Sequence, residues 1–394
     1  MTQNTSPGIN TKAARLDSVD ILRGIVMVLM ALDHVRDFFH ADALLYDPLN
    51  LSQTSVLLYF TRWITHFCAP VFVFLAGTGA FLSTSRGKTI PELSRFLWTR
   101  GLMLVIFELT IIEFGWKFNF ANFWAVQVIW AIGVSMICLA VLVHLRVRTI
   151  GIIGIVMIAC HNLLDGIKPE AFGDFSLLWK ILHVSEPTTI FSVINFWPIY
   201  PLIPWIGVMA AGYAFGTILL KEPARRRKIL LQLGLGMTTV FVVLRAVNMY
   251  GDLLPWTMQK DPVYTMLSFL NATKYPPSLD YVLMTLGPSI ALLAVLDKGI
   301  GRVEKFFVVY GRVPMFYYII HIYFIHLLAI VAGAAQGYDA TVFFNLMFAF
   351  PKGYGFSLPG VYVIWISIVL ALYPVCKWYG ALKRRRKDPW MSYI

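Results

Sequence analysis

Residues 22–40 read LRGIVMVLMALDHVRDFFH, and this stretch decides how the rest of the chain is interpreted. Its first part is apolar apart from Arg23, as expected for a helix inside a membrane. Its end is crowded with ionisable side chains, namely Asp33, His34, Arg36, Asp37 and His40. On an α-helix Arg23 and His34 project from one face, roughly 16 Å apart. Because charged groups inside a membrane helix are costly, the pattern predicts a functional site on this helix.

The composition of the whole chain indicates a membrane protein. Hydrophobic residues make up 58% of its 394 residues and charged residues only 14%, which is too much apolar surface for a single water-soluble core. The formal net charge is +12, but the basic residues lie in short clusters between apolar segments, where they set membrane topology. We therefore predict an all-α, polytopic membrane helix bundle whose partner is the lipid bilayer and not a nucleic acid.

Apolar runs of about 17 to 25 residues mark helices that can cross a hydrocarbon core of about 30 Å. The sequence predicts about ten of them, at approximately 21–39, 66–83, 97–116, 124–145, 149–165, 198–220, 229–250, 279–296, 313–334 and 359–381. The longer loops between these helices are rich in aromatic residues and are expected to build a surface for substrate on the outer face. These loops are 40–65, 166–197, 251–278 and 335–358.

Lysine and arginine set the orientation of the helices. One set of loops carries most of them, at Lys12, Arg15, Arg86, Lys88, Arg95, Arg146, Arg148, Lys221, Arg225, Arg226, Arg227, Lys228, Lys298, Arg302, Lys305, Lys383, Arg384, Arg385, Arg386 and Lys387. The opposite loops carry Arg62, Lys117, Lys168, Lys180, Lys260, Lys274 and Lys352. The imbalance predicts that both termini are cytoplasmic, in a multi-pass protein of the inner (plasma) membrane. The domains are then a cytoplasmic N-terminal segment 1–20, a transmembrane domain 21–381 and a basic cytoplasmic tail 382–394.

His34 is the first candidate for a catalytic residue. An imidazole takes up and releases a proton near neutral pH, and neighbouring acidic residues tune it. Asp33 and Asp37 are candidates for orienting the ring, and Asp37 is better placed because it lies almost one helical turn away. A histidine buried in the core without a function is the alternative. Arg23, near the cytoplasmic end, either binds an anionic group of a ligand or pairs with Asp20 one turn earlier.

Two further histidines near the same end of the helix are candidates for binding substrate. His40 lies where the first helix leaves the membrane, and a simple surface position is the alternative. His66 begins the second predicted helix, in which the small residues at 76, 77 and 79 favour close packing. If the two helices pack together, His66 lies near His34.

Lys274 and His321 are candidates from later in the chain. Lys274 precedes two prolines that stiffen the backbone and fix how the lysine is presented, although the segment also reads as a simple turn before a helix. His321 lies within the ninth predicted helix, one turn after Tyr317 and on the same face. The spacing fits two roles equally well: a structural hydrogen bond between Tyr317 and His321, or a role of His321 in catalysis.

Other buried polar groups are less informative. Charges at Glu108, Glu113 and Arg245 fall within predicted helices and are either catalytic or partners of one another. The cysteines, Cys68, Cys138, Cys160 and Cys376, lie in apolar segments without metal-type spacing and are read as core residues. We therefore predict no metal site.

Several stretches give the sequence a resemblance to a known family. They are RLDSVDILRGIVMVLMALDH, FLAGTGAFL, PLIPWIGVMAAGYAFG, KYPPSLDYVLMTLGP and GRVPMFYYIIH. In their order and spacing they make the chain similar to bacterial members of the heparan-alpha-glucosaminide N-acetyltransferase catalytic-domain family, from Arg15 to about His326. The resemblance implies a transmembrane acyltransferase that moves an acetyl or other acyl group from cytosolic acyl-CoA to a sugar or cell-envelope glycan acceptor at the outer face. Acyl-CoA is then a donor substrate, and no cofactor is bound permanently.

The resemblance also implies roles for individual residues. In the related acyltransferase-3 group an arginine, ten residues and a histidine mark the first helix, and Arg23 and His34 reproduce this pattern. Arg23 is therefore expected to contact the donor, and His34 to act as general base or to carry the acyl group. In the lysosomal member of the family an asparagine matches His34, and the active histidine lies further on, where His40 is the nearest residue in this chain.

A different class of function fits the physical pattern almost as well. A proton-coupled membrane transporter or exporter also contains embedded histidines and acids. It is less favoured because no inverted repeat of interrupted helices is visible. A purely structural or assembly role is least favoured, since it requires no buried ionisable groups. The sequence is also compatible with a homo-oligomer.

Overall fold

The computed structural model describes residues 16–43, 45–120, 123–190, 192–299, 301–344, 350–386, 388 and 391, and most of them are helical. The α-helices are α1 Asp17–Phe39, α2 Val56–Thr65, α3 Cys68–Thr84, α4 Ile90–Phe107, α5 Glu113–Lys117, α6 Val128–Leu142, α7 Val147–Cys160, α8 Ser176–Leu182, α9 Leu202–Leu219, α10 Pro223–Val247, α11 Pro262–Leu270, α12 Leu279–Leu296, α13 Arg302–Gly311, α14 Pro314–Ala335 and α15 Leu358–Arg385. A π-helical segment, Glu108–Ile112, joins α4 to α5, and short 3-10 segments lie at His161–Leu164, Pro169–Phe175 and Ala340–Phe343.

Among the described residues, seven helical segments are long and apolar enough to cross a membrane. They are Val56–Thr84, Val147–Leu164, Leu202–Leu219, Pro223–Val247, Leu279–Leu296, Pro314–Ala335 and Leu358–Arg385. Each of the predicted spans overlaps a helix, and the bounds of 279–296 agree. The spans predicted at 21–39, 97–116 and 124–145 correspond to helices that are not among these seven. Helix α1 carries charges at both ends, and α6 has only 15 residues. A multi-pass membrane protein is thus confirmed, while ten crossings remain a prediction.

A small sheet corrects the all-α prediction. Strand β1 Phe123–Val126 pairs in parallel with β3 Ile194–Pro198, and β2 Thr188–Ile190 pairs with β3 in antiparallel fashion. The strands are short and rich in aromatic and β-branched residues, which favour extended backbone. They fall in segments that the apolar runs assigned to a helix start and to a loop. Because β1 runs into α6 and β3 precedes α9, the sheet sets where these two helices begin.

Local sequence explains where several helices begin. Thr89 caps α4 and forms a capping box with Glu92, so that two otherwise unpaired backbone N–H groups are satisfied. The Ser278 hydroxyl accepts a hydrogen bond from the Tyr281 N–H at 3.0 Å and caps α12. Proline stands in the first turn of α10, α11, α14 and α15, where a missing N–H has no cost.

The first loop and the two ends differ in detail from the sequence prediction. Helix α2 lies inside the segment 40–65 that was predicted as an outer loop, and α3 follows it almost directly. Helix α1 begins at Asp17, within the predicted segment 1–20, and residues 1–15 lie outside the described part. Helix α15 extends to Arg385, into the predicted tail 382–394, of which residues 382–386, 388 and 391 are described. The cytoplasmic location of both termini stays a prediction.

Helix α1 lies at the centre of the packing. It contacts α2, α3, α12, α13, α14 and α15, and most of its residues are buried although several are charged. The contact with α13 is close because glycine occupies both sides. A Cβ atom on Gly24 would lie 1.9 Å from the Phe307 carbonyl oxygen, and one on Gly311 would lie 1.9 Å from the Asp20 carbonyl oxygen. The helix that carries His34 is therefore held on several sides.

Gly77 is expected to be necessary for the contact between α3 and α9. A Cβ atom there would lie 2.0 Å from the Met209 carbonyl oxygen, whereas a Cβ atom on Gly79 would meet nothing within 4 Å. We expect Gly77→Ala to lower the free energy of unfolding by about 1–3 kcal/mol, since backbone atoms must move apart. Gly79→Ala, on the same helix, is the matched control and should not lower it. Thermal unfolding of the detergent-solubilised variants measures the difference, and equal melting temperatures would contradict this packing.

Candidate active site

The end of α1 places His34 against α14. The His34 Nδ1 atom lies 2.8 Å from the His321 Nε2 atom, and the two rings stack with centroids 4.9 Å apart. The His321 Nδ1 atom lies 2.9 Å from the carbonyl oxygen of Tyr317, one turn earlier on α14. Both histidines are buried. We call His34 and His321 the histidine pair.

The hydrogen bonds of the histidine pair determine which nitrogen of His34 is basic. A carbonyl oxygen only accepts, so the His321 Nδ1 atom carries a proton and donates it to Tyr317. In a neutral His321 ring the Nε2 atom then has a lone pair and accepts a hydrogen bond from His34 Nδ1. The lone pair of His34 is left on Nε2, which makes no hydrogen bond with a described residue. An imidazole held in this tautomer by a partner is suited to act as a general base.

His34 faces a cavity of 240 Å³, the histidine cavity. Its charged, polar and aromatic lining residues include Asp33, His34, Arg36, Asp37, Arg62, Thr65, Phe72, Trp116, Gln127, Trp197, Tyr200, Lys274, Tyr275 and Tyr318. The Trp116 ring stands edge-on to the His34 ring, with centroids 4.9 Å apart and an angle of 72°. The Tyr318 ring also stands edge-on to it, at 6.1 Å. These aromatic walls restrict the access of water to the imidazole.

The two aspartates beside His34 pair with arginines. The Asp33 oxygens accept hydrogen bonds from Arg62 at 2.7 and 2.6 Å, and Arg36 lies 3.1 Å from the same carboxylate. Arg36 also donates to Asp37 at 2.5 Å. The hydrogen-bond partner of the His34 ring is therefore His321 and not Asp37, which the helix spacing favoured. The physical reason is that Arg36 pairs with both carboxylates and Arg62 with Asp33, and such charge-assisted hydrogen bonds are strong.

Lys274 reaches the histidine cavity from the loop before α12. Asp252 holds this loop, because its carboxylate accepts hydrogen bonds from the Thr273 N–H at 2.8 Å and from the Ser278 hydroxyl at 2.6 Å. The buried Arg245 guanidinium lies 3.9 Å from Asp252 and adds an opposite charge. The loop thus has a fixed conformation that presents Lys274 to the cavity.

Tyr275 accompanies Lys274 in the wall of the cavity. The Lys274 Nζ atom lies 5.1 Å from the centre of the Tyr275 ring. Burial alone would raise the pKa of the Tyr275 phenol, but the neighbouring cations Lys274 and Arg62 lower that pKa below its usual value. A phenol of this kind is a good hydrogen-bond donor. The loop therefore brings two donors, an ammonium and a phenol, to the histidine cavity.

A second cavity, of 360 Å³, adjoins the histidine cavity. We call it the basic cavity, after its lining residues Arg23, Lys88, Arg100, Arg312 and Lys383. The rest of its wall is mainly apolar and includes Met27, Leu75, Leu97, Leu104, Ile129, Ile132 and Met136. Phe72, Val128 and Tyr318 line both cavities, so the two spaces meet at these side chains.

A third space, of 400 Å³, lies toward the other end of α1. It shares Arg36, Asp37, Arg62 and Trp197 with the histidine cavity. Its other lining residues are His40, Asp42, Ala43, Tyr46, Asp47, Pro48 and Leu58, and we call it the acidic vestibule. The basic cavity, the histidine cavity and the acidic vestibule therefore follow one another along α1, with His34 in the middle space.

The structure brings most of the sequence-predicted site residues together. Asp33, His34, Asp37 and Lys274 line one cavity, and His321 is hydrogen-bonded to His34. Sequence alone placed only the first three of these near one another, because they share a helix.

The remaining predicted residues lie in different places. Arg23 pairs with Asp20 at 3.3 Å, as one of its two interpretations predicted, and it also lines the basic cavity. Its binding of an anionic ligand group stays a prediction. His40 lines the acidic vestibule and is buried instead of lying at the surface. His66 is buried against Tyr281, and neither of its ring nitrogens has a partner among the described residues. The described lining of the histidine cavity does not include His66.

Several residues of the site were not apparent from the sequence, namely Arg62, Trp116, Gln127, Trp197, Tyr275 and Tyr318. Arg62 lies in the segment 40–65, which was predicted as an outer loop. Trp197 and Tyr275 lie in the loops 166–197 and 251–278, which were predicted to build a substrate surface, but neither residue was singled out. The adjacency of Tyr318 to His321 in the ninth helix is a signal that could have identified one of them.

The three buried charges left open by the sequence are not partners of one another. The Glu108 carboxylate accepts hydrogen bonds from the Gln127 and Trp130 N–H groups at 2.8 and 3.2 Å and caps the start of α6. Glu113 pairs with Lys117, one turn later. Arg245 lies near Asp252 and donates to several backbone carbonyl groups. All four cysteines are free. Cys68 and Cys376 are buried and Cys138 is half-buried, but Cys160 is exposed, so its predicted position in the core is wrong.

A family model described as heparan-alpha-glucosaminide N-acetyltransferase, catalytic, matches residues 15–257. The matched segment is more than half of the chain and contains His34 and the sheet. The stretches that contain Lys274 and His321 lie beyond it. No curated protein matches the chain.

Proposed function

Because the chain belongs to the heparan-alpha-glucosaminide N-acetyltransferase catalytic family, we propose that it transfers an acetyl or other acyl group from acyl-CoA to a sugar or cell-envelope glycan at the outer face of the inner membrane. The observation that carries this proposal is the histidine pair. It presents an imidazole with a free lone pair in the space between a basic cavity and an acidic vestibule.

The basic cavity is the proposed site of the donor. The phosphate groups of coenzyme A are anions that guanidinium and ammonium groups bind well, and Arg23, Arg100 and Lys383 supply such groups. The apolar part of the wall suits the less polar pantetheine arm. With the nucleotide among the cations, the thioester can extend toward Val128 and Tyr318, where the histidine cavity begins. The match between charge, polarity and position supports acyl-CoA as donor.

The reaction is proposed to use His34 as general base. Its Nε2 atom takes the proton of the acceptor hydroxyl or amine while the acceptor atom attacks the thioester carbonyl carbon. The new C–O or C–N bond forms, the C–S bond breaks, and the coenzyme A thiolate leaves and takes the proton back from the imidazolium. His321 accepts a hydrogen bond from His34 Nδ1 throughout, which stabilises the imidazolium and fixes the ring.

The acceptor is proposed to enter through the acidic vestibule. Asp37, Asp42 and Asp47 can accept hydrogen bonds from sugar hydroxyl or amino groups, and Trp197 offers an aromatic surface at the boundary with the histidine cavity. Lys274 and Tyr275 supply hydrogen-bond donors within that cavity. This arrangement keeps donor and acceptor apart until they meet at His34.

The donor site is tested by removing two cations of the basic cavity together. We expect Arg100→Ala combined with Lys383→Ala to raise the KM for acetyl-CoA at least about tenfold while kcat changes little, because each charge-assisted hydrogen bond contributes about 1.5–3 kcal/mol. The assay follows transfer of radiolabelled acetyl from acetyl-CoA to an alkyl glucosaminide by the purified protein in nanodiscs.

The matched control removes the same charge elsewhere. Arg225 and Lys228 are exposed in the first turns of α10 and line none of the three spaces. Arg225→Ala combined with Lys228→Ala should leave the KM unchanged. An equal rise of KM in both double variants would indicate a general effect of charge, and an unchanged KM in the first would place the donor elsewhere.

A further inference from the structure

Gln127 lies between β1 and α6 in the wall of the histidine cavity. Its side-chain Nε2 atom is buried and has no hydrogen-bond partner among the described residues. The next residue, Val128, lines both the histidine cavity and the basic cavity. Gln127 therefore presents an unused N–H donor close to the place where the two cavities meet.

The backbone of Gln127 is held on both sides. Its N–H donates to the Glu108 carboxylate at 2.8 Å, and β1, which ends at Val126, pairs with β3. Glu108 begins the π-helical segment Glu108–Ile112, an irregularity that is frequent at functional sites. A donor that must act on a transition state needs such support, because small displacements weaken its effect.

The position of Gln127 differs from that of the other polar residues in the cavity. Arg36, Asp37 and Arg62 also line the acidic vestibule, and they are paired with one another and with Asp33. They lie on the acceptor's side of the proposed reaction. Gln127 is instead adjacent to the wall shared with the donor's cavity.

We propose that the Gln127 side-chain amide donates a hydrogen bond to the thioester carbonyl oxygen while negative charge develops on it. This inference rests on the proposed function and adds a catalytic residue to it. As the acceptor atom attacks the carbonyl carbon, the π electron pair moves to the oxygen, where the amide N–H stabilises it. When the C–S bond breaks, the pair returns and the carbonyl is restored. A buried amide without a protein partner is costly, and the substrate oxygen supplies the missing acceptor.

The test replaces the amide by a side chain of similar size that has no N–H. In Gln127→Met we expect kcat to fall about 100-fold while the KM for acetyl-CoA stays within about twofold of the wild type. Ser135→Ala is the matched control, since Ser135 is buried on α6, lacks a described partner and does not line the histidine cavity. It should keep the kcat of the wild type. Melting temperatures report folding for each protein.

Two results would overturn the inference. One is a kcat in Gln127→Met within about threefold of the wild type, and the other is a raised KM with kcat preserved, which would indicate ground-state binding only. If Gln127→Met does not fold, Gln127→Asn is the second variant, because it shortens the side chain by one methylene and moves the amide away from the substrate. A wild-type kcat in Gln127→Asn would also overturn the inference. A wild-type protein that transfers no acyl group would overturn the proposed function, and this inference with it, whereas an active Gln127→Met protein overturns only the role of Gln127.

Discussion

Replacement of His34 by alanine is expected to lower the rate of acyl transfer by about 10³-fold or more, because the Nε2 lone pair that takes the acceptor's proton is lost. Binding of acetyl-CoA should be preserved, since the substitution leaves the cationic residues of the basic cavity unchanged. Initial rates of labelled acetyl transfer to a glucosaminide, together with equilibrium binding of acetyl-CoA, measure the two quantities separately.

Two other histidines make the result specific. His144 is exposed between α6 and α7, and His144→Ala should transfer at the rate of the wild type. His40, which lines the acidic vestibule, is the alternative base that the family resemblance suggested. Loss of transfer in His40→Ala with full transfer in His34→Ala would mean that His40 is the base.

Replacement of His321 by leucine is expected to lower kcat about 100-fold. His34 would lose the acceptor of its Nδ1 hydrogen bond, so the ring would no longer be held in the tautomer with a basic Nε2 atom, and its charged form would lose a stabilising partner. His321 is a positioning residue that acts through His34. The KM for acetyl-CoA should therefore stay near that of the wild type, and steady-state kinetics check both constants.

A conservative variant separates this positioning role from a purely structural one. The side-chain oxygen of glutamine can accept a hydrogen bond. We therefore expect the kcat of His321→Gln to be about tenfold higher than that of His321→Leu, provided that both proteins fold equally well. Equal rates in the two variants would show that the hydrogen bond to His34 has no part in catalysis. Melting temperatures measured alongside establish whether a loss of rate reflects unfolding.

Much of the fold follows from short-range patterns in the sequence. Membrane helices are long apolar runs, so their positions are read from windows of about 20 residues, and α12 was located at its observed bounds. The spacing of Arg23 and His34 on one helix also survives in the structure, where they line adjoining cavities. The position of a helix and the spacing of residues along it were therefore predictable from the sequence.

The contacts between distant parts of the chain were not predictable in this way. His321 belongs to α14, and its hydrogen bond to His34 depends on how α14 packs against α1. The local spacing instead favoured Asp37, since the sequence does not show that Arg62, on another helix, pairs with the Asp33 carboxylate. The sheet was missed because its strands have only 4, 3 and 5 residues, too few to show a strand pattern either at the start of an apolar run or within a loop.

The central claim is that an acyl group moves from a donor in the basic cavity to an acceptor in the acidic vestibule, with chemistry at His34. The most direct test uses sealed proteoliposomes of known protein orientation, with radiolabelled acetyl-CoA on one side and a glucosaminide on the other. We expect labelled product only when acetyl-CoA is on the side of the basic cavity, and none with His34→Ala. Passage of the glucosaminide across the membrane without acetylation, with no consumption of acetyl-CoA, would contradict the claim and identify a transporter.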